Sequence, residues 1–174
     1  MLYWLTLLSD GGDFFNLFRY ITFRAGGAFL TALIFGFLFG NPLINILRRT
    51  QGKGQPIRDD GPEGHFVKAG TPTMGGLLIV GALLTSTLLW ARLDNPFIWI
   101  VLFVTMSFAA IGFADDYAKV SKQTVAGVSS KIRLFLGFAI AGIAAYWAAQ
   151  YHPENLQNQL ALPVFKDTLI YMVY

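Results

Sequence analysis

The chain contains no cysteine, which excludes disulfides and thiolate metal sites. Histidine is almost as scarce. His65 and His152 are the two present, too few for a histidine-built zinc centre. Charged residues make up 13% of the 174, against 55% hydrophobic residues and a mean hydropathy of +0.52, a balance that does not suit a soluble domain. The net charge of +3 is small and concentrated in particular loops, so it argues for membrane topology and for no nucleic-acid partner. The phosphate-cradling G-x-x-x-x-G-K-[ST] loop and the G-x-G-x-x-G dinucleotide fingerprint are both missing. The opening MLYWLTLLSDGG has no basic n-region and its apolar run stops at Ser9 and Asp10. It is therefore expected to lie in the membrane interface rather than to act as a secretory signal.

What is present is a series of apolar runs. They predict an all-α integral membrane protein, a polytopic helical bundle forming one transmembrane domain over 1–174. Four complete spans are expected at about 26–47, 72–91, 97–114 and 132–149, with an incomplete fifth at 160–174. Thr71 and Pro72 read as a start signal for the second span. Basic residues set the orientation. Arg48, Arg49, Lys53, Arg58 and Lys68 fall in one loop and Lys119, Lys122, Lys131 and Arg133 in another, nine of the thirteen Lys and Arg. By the positive-inside rule both loops are cytoplasmic. The start of the second span and the end of the third then open onto the same surface.

Two stretches carry chemistry. In Ser107 to Tyr117, SFAAIGFADDY, an apolar run ends in adjacent aspartates. A carboxylate near the bilayer costs roughly 2.5–3.5 kcal/mol at its centre and less toward the interface, so Asp115 and Asp116 make a functional-site hypothesis. Read as the C-terminal end of a helix, they face its negative dipole end and call for a cation; Mg²⁺, a hard ion with oxygen ligands, fits best. The plainer reading is a solvated span boundary with Lys119 as the local partner. The second stretch is Lys68 to Gly76, KAGTPTMGG, where free N–H groups, Lys68 and glycines make an anion site. Its plainer reading is tight helix packing at Gly75 and Gly76. Together with Lys119, Lys122, Lys131 and Arg133, the two stretches suit a diphosphate and a metal at the inner membrane face. Adjacent aspartates diverge by about 100° on a helix, so one can be ligand and the other base.

HFVKAGTPTMGG (65–76), GFADDYAKV (112–120) and GVSSKIRLFLG (127–137) together resemble the polyprenyl-phosphate N-acetylhexosamine-1-phosphate transferases, and within them the phospho-N-acetylmuramoyl-pentapeptide-transferase branch. The resemblance implies Mg²⁺-dependent transfer of phospho-N-acetylmuramoyl-pentapeptide from its UDP carrier to undecaprenyl phosphate, giving lipid I and UMP. This is the first membrane step of bacterial peptidoglycan synthesis, placed at the cytoplasmic face of the inner membrane. The resemblance also implies Asp115 and Asp116 as catalytic or metal-proximal carboxylates, Lys68 and Thr73 as nucleotide- or phosphate-site groups and Lys131 as a basic active-site residue; Lys119, from the basic surround, joins Lys68, Thr73 and Lys131 as an expected substrate-binding residue. It leaves room for a homodimer. A related transferase using another UDP-N-acetylhexosamine, or a cation-coupled transporter, are the alternatives. The family has about ten spans, with a further metal-binding aspartate and a His-rich motif that are absent from this sequence. The expectation is thus an N-terminal part of a larger enzyme, inactive by itself.

Overall fold

The computed structural model of the chain describes residues 1–52, 72–124, 127–151, 159–161 and 169–171. Two 3₁₀ segments, Leu2–Leu8 and Phe14–Arg19, lead into four α-helices: α1 (Ile21–Gln51), α2 (Gly76–Trp90), α3 (Pro96–Lys122) and α4 (Ser130–Ala149). With 31, 27 and 20 residues, α1, α3 and α4 are long and apolar enough to cross a membrane. At 1.5 Å per residue, α1 extends about 46 Å, beyond the ~30 Å hydrocarbon layer. The 15 residues of α2 are as apolar but shorter. The protein is a polytopic helical membrane bundle.

Helix α1 outruns the expected 26–47 at both ends, and three other stretches also differ from the expected ones. Helix α2 begins at Gly76, not Pro72, because Met74 adopts φ 70° and the backbone of Thr73 is taken by a side chain from α1. Pro72 is thus outside the helix, and Gly75 is the cap residue without a side-chain cap bond. Helix α3 does not stop at Ala114. It runs on to Lys122 and ends where Gln123 enters the left-handed region at φ 49°, so Asp115 and Asp116 lie about two turns before its end and feel little of its dipole. Lys119 and Lys122 occupy that last turn instead. In 160–174, expected to start a fifth span, the described residues form two short antiparallel strands, β1 (Gln159–Ala161) and β2 (Leu169–Tyr171), with Leu160 opposite Ile170.

Helices α1 and α2 lie antiparallel, as their pairings run in opposite directions. Trp90 donates to the hydroxyl of Thr31 at 2.9 Å, Phe35 meets Gly81, and Gly40 meets Leu78. Gly27 lets the Trp90 ring come close to the α1 backbone; a Cβ there would overlap the ring. Close approach at glycine is how membrane helices gain dispersion contact where lipid supplies no hydrophobic drive. Helices α3 and α4 are likewise antiparallel, pairing Phe103 with Trp147 and Phe108 with Gly137. Few side chains are buried, and large apolar ones face outward, Phe37 being 77% exposed. In water that would be an aggregation surface; in a bilayer it is the lipid-facing wall.

At the end holding Trp90, Phe18 stacks on its ring at 5.9 Å, and Arg24 and Arg92 flank the Tyr3 ring at 5.0 and 4.7 Å. Arg92 pairs with Asp94 at 2.7 Å, and this hydrogen bond holds the Asp94 carboxyl below the usual carboxylate range. Asn95 then caps α3 by accepting from the Phe97 N–H at 3.0 Å, with Pro96 in the first turn, where its missing N–H costs nothing. The opposite end gathers the C-terminal ends of α1 and α3 with the N-terminal ends of α2 and α4. The chemistry-bearing residues are there.

Candidate active site

Asp115 is the buried polar centre of this end, 7% exposed. A carboxylate out of water needs both oxygens satisfied. Lys119, one turn on in α3, meets Oδ2 at 2.8 Å. Oδ1 accepts from Arg133 of α4 at 2.6 Å and from the Val128 N–H at 2.7 Å. Arg133 also donates to the Val128 carbonyl at 3.3 Å. The turn before α4 is therefore tied to α3 through one carboxylate.

Asp116 is held differently. Its side chain is 31% exposed, against 10% for Asp115. Oδ2 accepts from the Thr73 hydroxyl at 3.0 Å, and Oδ1 lies 3.9 Å from Lys119 Nζ. Thr73 is itself fixed by Gln51 at the end of α1: the Thr73 N–H donates to Gln51 Oε1 at 2.8 Å, and Gln51 Nε2 donates to the Thr73 carbonyl at 3.0 Å. This reciprocal pair explains why a glutamine at the membrane edge is buried. An unbroken chain of polar contacts runs from Gln51 through Thr73, Asp116, Lys119 and Asp115 to Arg133, joining α1, the segment before α2, α3 and α4. Networks of this kind rigidify when every member has its partners.

Beside the network, between α2 and α3, lies a cavity of about 450 Å³ lined by Met74, Leu77, Val80, Met106 and Phe113, with Asp115 and Asp116 at its polar end. A mostly apolar hollow with a few convergent polar groups is the usual form of a ligand site.

Of the residues singled out in the sequence, Asp115, Asp116, Thr73 and Lys119 come together here. Lys131 does not join them: it is exposed on the first turn of α4, and no carboxylate among the described residues is within ion-pair distance of it. Lys68 lies outside the described residues. Sequence reading placed Arg133 only in the general basic surround, and gave no role to Gln51, Gly127 or Val128. The partners of Gln51, Arg133 and Val128 are 22, 18 and 13 residues away in the chain, and no local spacing announces such pairs.

The donor set bears on a metal. Among the described residues no three His, Cys, Asp or Glu side chains cluster, so a protein-only cage is absent there. Mg²⁺ is commonly held by one or two carboxylates, with phosphate and water completing its shell. Asp116, hard in its oxygens and partly open, fits that role. Both Asp115 oxygens are already occupied by donors.

Comparison with known proteins converges on the same segment. The signature described as phospho-N-acetylmuramoyl-pentapeptide-transferase signature 1 matches residues 68–80, the stretch that contains Thr73 and the start of α2. Proteins named phospho-N-acetylmuramoyl-pentapeptide-transferase are similar along nearly the whole chain. The one from Ruegeria pomeroyi is 82% identical over 170 residues, covering 98% of this chain and 47% of the relative. That of Ruegeria sp. strain TM1040 is 78% identical over 174 residues, covering 100% and 48%. That of Dinoroseobacter shibae is 70% identical over 171 residues, covering 98% and 47%. The chain spans about half the length of these curated relatives, and it belongs to the phospho-N-acetylmuramoyl-pentapeptide-transferase family.

Proposed function

We propose that the protein to which this segment belongs transfers phospho-N-acetylmuramoyl-pentapeptide from its UDP carrier to undecaprenyl phosphate, in the membrane step that opens peptidoglycan synthesis. The carrying observation is that the matched signature meets the carboxylate pair through the bond between Thr73 and Asp116. In the transfer, an oxygen of the lipid phosphate bonds to the sugar-bearing phosphorus of the donor. The bridging bond of the diphosphate breaks, and its oxygen leaves with UMP.

The residues supply what such a reaction needs. Charge spreading over a transferring phosphoryl group is stabilised by preset cations and donors. Lys119, with its side chain 21% exposed beside both carboxylates, offers a cation at the rim. Asp116 would hold Mg²⁺, with Asp115 the adjoining negative charge; when bound, the ion neutralises phosphate oxygens and the leaving UMP. The apolar cavity lets a polyprenyl phosphate present its head to Asp116 while its chain stays in lipid. The basic residues flanking this end support a reaction at the cytoplasmic face of the inner membrane by the positive-inside rule, where a water-soluble nucleotide donor is at hand.

The test is UMP release by the full-length protein in detergent, with UDP-N-acetylmuramoyl-pentapeptide, undecaprenyl phosphate and Mg²⁺. Release is expected to require all three and to be accompanied by the lipid-linked product. Release with UDP-N-acetylglucosamine as donor and none with the muramoyl donor would assign the protein to another branch of the superfamily. No release with either would refute a transferase.

A further inference from the structure

We propose that Arg133 and the turn at Gly127 and Val128 are positioning elements that keep Lys119 drawn to Asp115 and thereby leave Asp116 open. The catalytic half of this inference rests on the transferase reading; the mechanical half does not.

The geometry is closed and tight. Asp115 Oδ1 receives the Val128 N–H and the Arg133 guanidinium, while Arg133 also donates to the carbonyl of Val128. Both polar groups of one peptide residue are therefore held by the ion pair beside it. The turn passes so near that residue 127 has no room for a side chain: a Cβ would lie 2.7 Å from Asp115 Cγ and 2.9 Å from Lys119 Cε. Gly127 serves here for space, since the neighbours it would strike are the clamped carboxylate and the lysine stem.

The consequence falls on Lys119. Its ammonium stands 2.8 Å from Asp115 and 3.9 Å from Asp116, so it is bonded to the first aspartate and only near the second. Asp115 keeps this hold because Oδ1, occupied by Val128 and Arg133, fixes the carboxylate plane and turns Oδ2 to the lysine. Remove Arg133 and the carboxylate is freed to rotate. Lys119 can then swing to Asp116, one residue along the same helix, and mask Oδ1, the oxygen that Thr73 does not hold. Arg133 is bonded to Asp115 at the polar end of the cavity and makes no hydrogen bond or ion pair with Asp116, so its effect passes through Asp115.

Arg133 makes both contacts through a single nitrogen, Nη2. A lysine ammonium has three donors and can reproduce that point contact, which a bidentate fork would not allow. In the full-length protein, Arg133→Gln is expected to lower kcat about tenfold or more with the donor KM unchanged within about twofold. Arg133→Lys should recover most of the loss. Gly127→Ala should lower kcat similarly without removing any charge. The mechanical half has its own readout. With Val128→Cys introduced in a background free of other reactive cysteines, maleimide labelling should be several-fold faster when Arg133→Gln is added, and not when Arg133→Lys is added. Unchanged labelling with Arg133→Gln would overturn the clamp. A raised donor KM at constant kcat would overturn its catalytic role and make Arg133 a donor-binding residue. A parent protein that shows the labelling response but releases no UMP would overturn the transferase reading and the catalytic half with it, while supporting the clamp.

Discussion

Thr73 and Asp116, 43 positions apart in the chain, are joined by a 3.0 Å hydrogen bond from the threonine hydroxyl to the carboxylate. The bond sets the segment ahead of α2 against α3, at the mouth of the cavity they share. It also restricts the rotamer of a carboxylate that is otherwise one-third exposed. Orientation is the main benefit, because a carboxylate that open keeps much of its hydration and gains only modest stability from one neutral donor.

Thr73→Val keeps the shape and removes the hydroxyl. A kcat loss of roughly tenfold is expected, since the proposed metal carboxylate loses its setting while the fold keeps its contacts. The melting temperature in detergent should move little, matching a cost of about 1 kcal/mol or less. Turnover within twofold of the parent would show that Asp116 is oriented by other means.

Gly27→Ala tests the packing at the far end. The added methyl would collide with the Trp90 ring, whose Nε1 is already bonded to Thr31, so helix α2 must shift or the ring must rotate. A destabilisation of about 1–3 kcal/mol is expected from such overpacking. It should appear as a lower thermal midpoint with the donor KM preserved, because the site lies at the other end of α2. An unaltered midpoint would mean that the two helices slide apart without penalty.

Orientation can be read chemically, since the segment has no cysteine of its own. Single cysteines at Thr50 and Ser129 should react with an impermeant maleimide from one side of the membrane, and one at Asn95 from the other. The first pair adjoins the basic loops, which the positive-inside rule predicts to be cytoplasmic. Equal labelling of all three from one side would break the antiparallel arrangement of α2, α3 and α4 across the bilayer.

Hydropathy made the helices legible, and it misplaced the ends that matter most. The apolar run stops at Ala114 because the next residues are charged, yet the backbone has no reason to stop there: Asp115 and Lys119 bond one turn apart, which favours helix. The true end is set by Gln123 in a left-handed conformation, and glutamine gives no warning of it. The Thr71 and Pro72 signal failed for a tertiary reason, the capture of Thr73 by Gln51. The aspartate pair stood out because charge is expensive beside lipid. Arg133 did not, because an arginine after a polar turn looks like any other membrane-flanking cation until its distance to Asp115 is known.

The two aspartates should respond differently to loss of charge. Asp116→Asn removes the open carboxylate but leaves Asp115 with Lys119, Arg133 and Val128, so folding should be nearly unaffected. If Asp116 holds the metal, activity should fall by a factor of about 100 or more and excess Mg²⁺ should not restore it. Asp115→Asn acts on the frame. The amide can accept at one position only, so either Lys119 or the Arg133 and Val128 pair loses its partner. Removing one member of a buried ion pair costs about 3–5 kcal/mol in full burial. The cost here should be nearer 1–3 kcal/mol, because Arg133 is half exposed and water can reach it. Asp115→Asn is therefore expected to lower the thermal midpoint clearly as well as the turnover, and Asp116→Asn to lower turnover alone. Paired melting curves and UMP-release assays in the same detergent decide the matter. A larger drop in midpoint for Asp116→Asn than for Asp115→Asn would reverse the roles assigned to the two carboxylates.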